Sequence, residues 1–249
     1  MNPIIVIPAR MASTRLPGKP LADIAGRPMI VLVWEQAVAA GIGPVVVAVS
    51  EPEVAQAIRD AGGQAVMTDP DLPSGSDRIF QALEAVDPKG AHDIVVNLQG
   101  DLPALDPAAI HAVVDALMTT GCDIATLAAQ IDDEADFDNP SVVKPVVVWD
   151  VTGARGRALY FSRARVPTGE GPLFHHVGIY AYTRDALARF VALEASPLEK
   201  REKLEQLRAL EAGMTIAVAR VADVPLSVDT PADLDKARKL LGGEEKEKR

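Results

Sequence analysis

Short apolar runs rich in β-branched residues alternate along this chain with amphipathic stretches of helical spacing. The runs are apolar at consecutive positions, as in the strands of a parallel sheet that is covered on both faces. They lie at residues 4–7, 45–49, 94–98 and 124–128. This alternation predicts an α/β fold with a doubly wound, mostly parallel sheet.

Proline and glycine mark the ends of the predicted helices. Proline suits the first helical turn and glycine ends a helix, which predicts helices over residues 28–40, 52–61 and 106–120. Thr230 and Pro231 open a last helix, with the spacing of a capping box to Asp233. An incomplete leucine stripe predicts one long helix over residues 196–213.

The length of 249 residues has room for one large domain. We expect that domain over residues 1–241. The middle of the chain is less regular, and residues 142–182 are a candidate inserted lobe or dimerisation segment. Residues 242–249 are a glycine pair followed by alternating charges, which indicates a frayed tail.

Charge and composition exclude several classes of partner. The formal net charge is −10, which argues against nucleic acid or an anionic membrane as the main partner. The chain has a single cysteine, so an internal disulfide is excluded, and no apolar run approaches the ~20 residues of a membrane span. We therefore expect a cytoplasmic protein without membrane insertion.

The first 22 residues are the exception to this acidic composition. They contain Arg10, Arg15 and Lys19 and no acidic residue. The segment from residue 8 to residue 20 follows the first apolar run, and ligands of open α/β sheets bind beyond the carboxyl ends of the strands. It is not a Walker A loop, because Pro20 stands where Ser or Thr would follow Gly18 and Lys19. The pattern favours a bound polyphosphate.

Further motifs occur in one order along nearly the whole chain. They are IPAR at 7–10, STRLPGKPL at 13–21, SGSDR at 74–78, VNLQGD at 96–101, ALYFSR at 158–163, HVGIY at 176–180, SPLE at 196–199, LEQLR at 204–208 and VDTP at 228–231. Together they resemble the 3-deoxy-manno-octulosonate cytidylyltransferase family.

The resemblance implies a nucleotide-diphospho-sugar transferase-like fold and a transferase activity. CMP would move from CTP to the anomeric hydroxyl of 3-deoxy-D-manno-octulosonate (Kdo), with release of pyrophosphate, for lipopolysaccharide biosynthesis. CTP and Kdo would be the small-molecule partners, Mg²⁺ the cofactor and a homodimer the assembly.

The resemblance also implies roles for individual residues. Arg10, Lys19 and Asp101 would be catalytic. The nucleotide would be bound by Pro8, Ala9, Arg10, Ser13, Thr14, Lys19, Ser74, Arg78 and Gln99.

Two carboxylates are candidate metal ligands. Asp101 follows the apolar run at 94–98 and Asp229 follows the run at 224–228, so both are expected near the carboxyl edge of the sheet. Mg²⁺ is usually held by one or two carboxylates together with substrate phosphates and waters. The resemblance assigns both residues to that role, although Asp229-Thr230-Pro231 is also typical of a helix cap.

A second set of residues is implied in binding the sugar acid. A guanidinium binds a carboxylate in bidentate fashion, and Arg163 is the candidate for this contact. The other predicted sugar ligands are Arg15, His176, Glu205 and Gln206.

Two features depart from the family's pattern. Leu102 follows Asp101 where the family usually has glutamate, so any role of that carboxylate is absent or moved. The segment at residues 167–175 is shorter than expected, which bears on the sugar site or a dimer contact.

Other functions remain open from the sequence. Neuraminate, the 8-amino analogue of Kdo and methylerythritol phosphate are alternative acceptors; the YFSR and LEQLR motifs argue against the distant ones but not against the 8-amino analogue. A glycosyltransferase would use Asp69-Pro70-Asp71 as an Asp-x-Asp metal motif. A catalytically inactive nucleotide-binding regulator is a third alternative.

Overall fold

The computed structural model describes the backbone of residues 1–13 and 15–247, and side chains up to residue 243. Thr14, predicted to bind nucleotide, lies outside the described residues, as does the end of the predicted tail. The chain divides into two compact units. The first comprises residues 1–110 and the chain from residue 225 onwards, and the second comprises His111–Val224. The second unit contains the predicted lobe at 142–182 and extends beyond it at both ends.

The strands of both units are numbered in chain order. They are β1 (Pro3–Ala9), β2 (Asp23–Ile24), β3 (Arg27–Pro28), β4 (Val45–Val49), β5 (Gln64–Met67), β6 (Ile94–Asn97), β7 (Ile124–Gln130), β8 (Lys144–Trp149), β9 (Arg155–Ser162), β10 (Phe174–Thr183) and β11 (Ile216–Val221).

The helices are numbered in the same way. They are α1 (Met29–Ala39), α2 (Pro52–Asp60), α3 (Gly75–Val86), α4 (Pro107–Thr120), α5 (Arg184–Val191), α6 (Pro197–Glu202), α7 (Leu207–Glu211) and α8 (Pro231–Glu247). Two 3₁₀ helices cover Lys19–Leu21 and Glu134–Asp136.

The first unit contains a parallel sheet with the strand order β5-β4-β1-β6. Residues 4–7 of β1 are at most 2% exposed, as expected for a strand covered on both faces. Ala9 pairs with Val49 in the β1–β4 register, so the carboxyl ends of these strands lie at the same edge. The predicted α/β fold class is confirmed.

The second unit contains a mixed sheet with the order β10-β7-β11-β9-β8. β7 and β11 are parallel, whereas the β10–β7, β11–β9 and β9–β8 pairs are antiparallel. A tight turn joins β8 to β9, where Asp150 Oδ1 accepts hydrogen bonds from the backbone of Thr152 and Ala154. Antiparallel neighbours need only such a turn, whereas parallel strands need a crossover. The parallel pairing predicted from the apolar runs is therefore concentrated in the first unit.

Residues 177–182 are the apolar end of the candidate lobe or dimerisation segment at 142–182. They lie within β10, which pairs with β7. Val177, Ile179, Ala181 and Tyr182 are at most 4% exposed in the single chain. Their apolar character is explained by the core of the second unit, and the role of residues 142–182 as a dimerisation segment stays a prediction.

The predicted long helix at 196–213 is two short helices. α6 begins with a capping box between Ser196 and Glu199 and ends at Lys203, whose φ of 56° is left-handed. Arg208 of α7 donates to both carboxylate oxygens of Glu199, at 2.8 and 2.6 Å. This ion pair is 11% and 13% exposed. It holds the two helices together in the turned arrangement, which a leucine stripe alone does not reveal.

The last helix also differs from the prediction. α8 continues to Glu247, so the described part of the predicted tail at 242–249 is helical rather than frayed. Glycine lowers helix stability by about 1 kcal/mol but leaves the helical backbone accessible. In the part of the chain that the structure describes, no helix is both long and apolar enough to span a bilayer.

Candidate active site

A cavity of about 390 Å³ opens in the first unit, beyond the ends of β1 and β6 and beside the start of α3. Most of its lining was predicted from the sequence to bind the nucleotide, the metal or, for Arg15, the sugar acid. The predicted residues are Pro8, Ala9, Arg10, Ser13, Arg15, Lys19, Ser74, Arg78, Gln99 and Asp101, and the others are Ala12, Pro20, Gly75 and Gly100. Four of these side chains are cationic, which suits a polyanion.

The loop after β1 is anchored by one apolar side chain and one glycine. Leu16 is 9% exposed and packs in a core cluster with Ile24 and Val228. Gly18 has a φ of 71°, a left-handed value that favours glycine, and it precedes the 3₁₀ helix Lys19–Leu21. These two residues fix the position from which Lys19 extends.

Gly100 allows two backbone segments of the cavity to approach each other. A Cβ atom at this position would lie 2.8 Å from the carbonyl oxygen of Pro8 and 3.2 Å from Ile30 Cδ1. Only glycine therefore fits without a shift of the backbone. The close approach brings the segment of Gln99 and Asp101 next to the backbone of Pro8, which was predicted to bind the nucleotide.

Lys19 lies between the two predicted metal carboxylates. Its Nζ donates to Asp101 Oδ2 at 2.7 Å and to Asp229 Oδ1 at 3.0 Å. The backbone N–H of Val228 donates to the carbonyl of Asp101 at 2.9 Å, which joins the two loops. Burial lowers the pKa of Lys19, but the two carboxylates raise it, and the net pKa lies above its ordinary value. Lys19 is therefore a cation at neutral pH.

The structure separates the two interpretations of Asp229. The cap of α8 is provided by Thr230, whose Oγ1 accepts from the N–H of Asp233 at 3.3 Å and whose N–H donates to Asp233 Oδ2 at 3.1 Å. The carboxylate of Asp229 instead binds Lys19 and also Arg15, whose Nη2 lies 3.1 Å away. Asp229 therefore faces the cations of the loop after β1.

Asp101 and Asp229 have the chemistry of a magnesium site. Within the residues described, no group of three or more His, Cys, Asp or Glu side chains could hold a metal by itself. The two carboxylates already share one cation, the ammonium group of Lys19. Mg²⁺ commonly takes one or two carboxylates and completes its shell with phosphates and water, so this donor set fits it.

The start of α3 presents a capped helix to the cavity. Ser74 Oγ accepts from the N–H of Asp77 at 3.2 Å. Arg78, one turn further on, is 2% exposed and donates to Thr68 Oγ1 and to the carbonyl of Pro70. Desolvation lowers the pKa of Arg78, and the charge of Glu51 opposes that shift. Arg78 thus supports the cavity wall from a buried position.

The predicted sugar ligands all lie in the second unit except Arg15. The ring of His176 stacks edge-on to Phe161 and lies near Tyr180, and its Nε2 is 2.9 Å from Thr126 Oγ1. Burial, reinforced by the nearby His175, lowers the pKa of His176 to about 3, and burial also raises the pKa of Tyr180. Both rings are therefore neutral at physiological pH, as hydrogen-bonding groups rather than charges.

Arg163 is engaged with backbone carbonyl groups. Its Nε donates to the carbonyl of Glu202 at 2.8 Å, its Nη1 to Pro140 at 2.9 Å and its Nη2 to Lys203 at 3.4 Å. The carboxylate of Glu202 accepts in turn from the N–H of Arg163 at 3.0 Å. A bidentate contact with a sugar carboxylate would require some of these bonds to be exchanged, and that role remains a prediction.

Gln206 lies in the turn between α6 and α7 and is 5% exposed. No hydrogen-bond acceptor for its buried Nε2 is found among the residues that the structure describes. A buried donor without an acceptor destabilises a folded protein by ~1–3 kcal/mol, so the buried Nε2 of Gln206 needs an explanation. The left-handed Lys203 creates the turn that places it there.

Leu102, the departure from the family's pattern, is 6% exposed. It packs in the interior beside Asp101, so no carboxylate stands at that place in this chain.

The Asp-x-Asp motif of Asp69 and Asp71 lies in the loop after β5. There the N–H of Asp69 donates to Gln81 Oε1, and the N–H of Asp71 donates to Asp69 Oδ1.

One residue of this region was missed from the sequence. Glu51 follows β4 and its Oε2 accepts from the N–H of Met11 at 3.1 Å. The signal was available, because β4 follows β1 in the predicted order and both strands end at the same sheet edge.

Comparison with known proteins decides the family. The model of the cytidylyltransferase family matches residues 4–216. The 3-deoxy-manno-octulosonate cytidylyltransferase of Parvibaculum lavamentivorans is 65% identical over 96% of this chain and 93% of its own length. That of Methylobacterium radiotolerans is 62% identical over 97% of this chain and 98% of its own. The chain belongs to the 3-deoxy-manno-octulosonate cytidylyltransferase family.

A solved structure agrees with this assignment. CMP:2-keto-3-deoxy-manno-octonic acid synthetase, complexed with CTP, is 42% identical, with a TM-score of 0.89 over 98% of this chain and 100% of its own. The family and the fold predicted from the motifs are confirmed. This member of the cytidylyltransferases is therefore an enzyme, and the glycosyltransferase and inactive-regulator alternatives are not supported.

Proposed function

We propose that this protein transfers CMP from CTP to the anomeric hydroxyl of Kdo and releases pyrophosphate. The observation that carries the proposal is the arrangement of Lys19 between Asp101 and Asp229 at a cavity lined by further cations. The anomeric hydroxyl would attack the α-phosphorus in line, with pyrophosphate leaving on the opposite side. No covalent enzyme intermediate is needed, so positioning and charge neutralisation supply the catalysis.

Asp101 and Asp229 would hold Mg²⁺ on the nucleotide. The metal would neutralise phosphate charge and lower the pKa of the attacking hydroxyl. Lys19, kept protonated by both carboxylates, provides a fixed positive charge beside them. Arg10 and Arg15, both exposed on the cavity loop, add charge that can bind the triphosphate.

Recognition of cytosine would rest on backbone carbonyls at Pro8 and Ala9 and on Gln99. The Nε2 of Gln99 donates to Asn97 Oδ1 at 3.3 Å, which directs the amide and makes its Oε1 the acceptor for the base. The 4-amino group of cytosine is a donor, whereas uracil has a carbonyl there. A buried acceptor facing that carbonyl would cost ~1–3 kcal/mol, roughly ten- to a hundred-fold in selectivity.

For the sugar acid, we propose that Gln206 donates its buried Nε2 to a hydroxyl and that Glu205 and His176 supply further hydrogen bonds. This assignment is supported by the buried Nε2 of Gln206, which has no hydrogen-bond acceptor among the residues that the structure describes. Kdo is favoured over its 8-amino analogue by the names of the relatives, whereas the residues described do not separate the two acceptors.

The experiment is a pyrophosphate-release assay. The full chain is incubated with CTP and Mg²⁺ and with Kdo, 8-amino-Kdo or neuraminate, and each acceptor is repeated with UTP. We expect Kdo with CTP to give the highest kcat/KM, and EDTA to abolish release. Equal rates with CTP and UTP would contradict the cytidylyl assignment, and faster turnover of another acid would change the acceptor.

We further propose that the protein is a cytoplasmic homodimer. The resemblance supports the assembly, and apolar side chains at the β8–β9 end of the second unit offer a surface, with Val148 55% and Leu159 50% exposed. Light scattering at micromolar protein is expected to give the dimer mass, and Val148→Glu to weaken it. A monomer mass for the wild type would refute the assembly.

A further inference from the structure

Glu51 is an acidic residue at the edge of a cavity built for an anion. β1 and β4 are parallel, with Ala9 opposite Val49. Arg10 and Met11 leave the sheet at the same edge as Ser50 and Glu51. The topology therefore places this carboxylate next to the loop that carries Arg10.

The side chain of Glu51 serves this loop and not its own helix. Glu51 occupies the N-cap position of α2, yet its carboxylate makes no capping hydrogen bond there. Its Oε2 instead accepts from the backbone N–H of Met11 at 3.1 Å, across 40 residues of sequence. A hydrogen bond to a charged group is stronger than a neutral one, so this contact restrains the backbone immediately after Arg10.

Glu51 also balances charge behind the cavity. Arg78 is 2% exposed, and Glu51 is the leading nearby charge that favours its cationic form, whereas Arg10 opposes it. Lys19 and Arg15 have carboxylate partners of their own in Asp101 and Asp229. Glu51 thus opposes the effect of the Arg10 charge on Arg78, and Arg10 itself is exposed.

We propose that Glu51 is a positioning residue for CTP, which acts by holding the backbone of Met11 so that Arg10 faces the triphosphate. The inference rests on the proposed nucleotidyl transfer. An anion beside an anion site would weaken binding through charge alone, so a favourable role for Glu51 must come through the tether.

The test compares Glu51→Ala, which removes acceptor and charge, with Glu51→Gln, which keeps an oxygen acceptor. Glu53→Ala is the matched control, because Glu53 lies in the same first turn of α2 and is exposed. We expect Glu51→Ala to raise both the Kd and the KM for CTP about ten-fold, or about 1.4 kcal/mol. The kcat should change less than three-fold, and Glu51→Gln and Glu53→Ala should stay within about three-fold of wild type in KM.

Hydrogen exchange of the full chain without nucleotide provides the second readout. Glu51→Ala should accelerate exchange in the peptide containing Met11, whereas Glu51→Gln and Glu53→Ala should not. Equal KM and exchange for wild type and Glu51→Ala would overturn the positioning role. A Glu51→Gln variant as impaired as Glu51→Ala would also overturn it, because charge rather than the tether would then matter.

The same measurements separate this inference from the proposed function. A wild-type chain that binds no CTP by calorimetry overturns the nucleotidyl transfer and the role of Glu51 with it. A wild-type chain that binds CTP while Glu51→Ala binds equally well overturns only the role of Glu51.

Discussion

The cavity of the first unit and the polar residues of the second unit hold their charged groups in different ways. In the first unit, Lys19 pairs with the carboxylates of the proposed metal site, and Arg10 is exposed. In the second unit, Arg163 binds three backbone carbonyls and His176 is a neutral ring bonded to Thr126. The first arrangement can exchange its partners for phosphates, whereas the second must rearrange internal bonds to accept a ligand.

The largest expected effect tests the exchangeable charges of the first unit. Asp101→Asn keeps the shape of the side chain but removes a carboxylate from Lys19 and from the proposed metal. We expect kcat to fall about 100-fold or more, with an unchanged melting temperature. The pyrophosphate assay in saturating Mg²⁺ measures this, and exposed Asp60→Asn on α2 is the control.

Near-normal turnover of Asp101→Asn would mean that Asp101 is not a ligand of the metal. Asp229→Asn should behave in the same way, because the cap of α8 belongs to Thr230 and stays intact.

The second prediction concerns the buried neutral groups of the second unit. The pKa of His176 is depressed to about 3, below the ordinary value of 6.5 for the unfolded chain. Above pH 6.5 both states are neutral and this stability is fully present. As pH falls below 6.5 the unfolded chain alone takes a proton, so stability falls by up to about 1.4 kcal/mol per pH unit until about pH 3.

Urea unfolding at pH 8 and pH 5 measures this loss. His176→Gln should show about 2 kcal/mol less loss between the two values than wild type. His111→Gln, at an exposed position, is the control. Parallel pH profiles for wild type and His176→Gln would mean that the ring is hydrated and available as a charged group.

The contrast between the units also explains what the sequence could and could not predict. The loop after β1 is one continuous segment at the end of a strand, so its cations were found from position alone. Asp101 was placed in the same way, because it follows β6, whereas residues 224–228 before Asp229 form no strand and Asp229 reaches this region through its contact with Lys19. Local order therefore predicted most of this cavity.

The second unit depends on contacts that local order does not contain. The left-handed Lys203 divides an apparently continuous helix, and that turn buries Gln206. Antiparallel pairing of β10 with β7 buries the apolar residues 177–182, and the order of the chain alone does not predict this pairing. The first unit has one such long-range contact, because Glu51 binds Met11, 40 residues away, and only the shared sheet edge of β1 and β4 points to it.

The third prediction tests whether Arg163 binds the sugar acid or only holds the backbone carbonyls of Pro140, Glu202 and Lys203 in place. Arg163→Lys keeps the charge and loses the planar fork. We expect KM for Kdo to rise about ten-fold, or about 1.4 kcal/mol, with KM for CTP within about two-fold. The melting temperature should fall, because the bonds to Pro140, Glu202 and Lys203 are lost.

Steady-state kinetics with each substrate varied in turn distinguish the outcomes. Arg165→Lys is the control, since Arg165 is exposed and lies 3.8 Å from Asp138. A rise in KM for CTP alone would contradict the assignment of Arg163 to the sugar acid.

The smallest expected effect compares two helix caps of the same chemistry, one in each unit. Ser74 Oγ accepts from Asp77 N at 3.2 Å and Ser196 Oγ accepts from Glu199 N at 3.4 Å. Either serine to alanine should cost about 1 kcal/mol of stability. Because Ser74 lines the cavity, Ser74→Ala should raise KM for CTP by up to about five-fold. Ser196 leads into the turn of Gln206, so Ser196→Ala should raise KM for Kdo instead.

Thr183→Ala serves both variants as the matched control. Thr183 Oγ1 caps α5 by accepting from Ala186 N at 3.1 Å, and neither proposed site includes it. It should lose similar stability while both KM values stay unchanged, which separates a local effect from a general loss of folded protein. If Ser74→Ala and Ser196→Ala raised the same KM, the assignment of the nucleotide to Ser74 and of the sugar acid to Ser196 would be wrong. A rise in KM for CTP in Ser74→Ala and in KM for Kdo in Ser196→Ala would support that assignment.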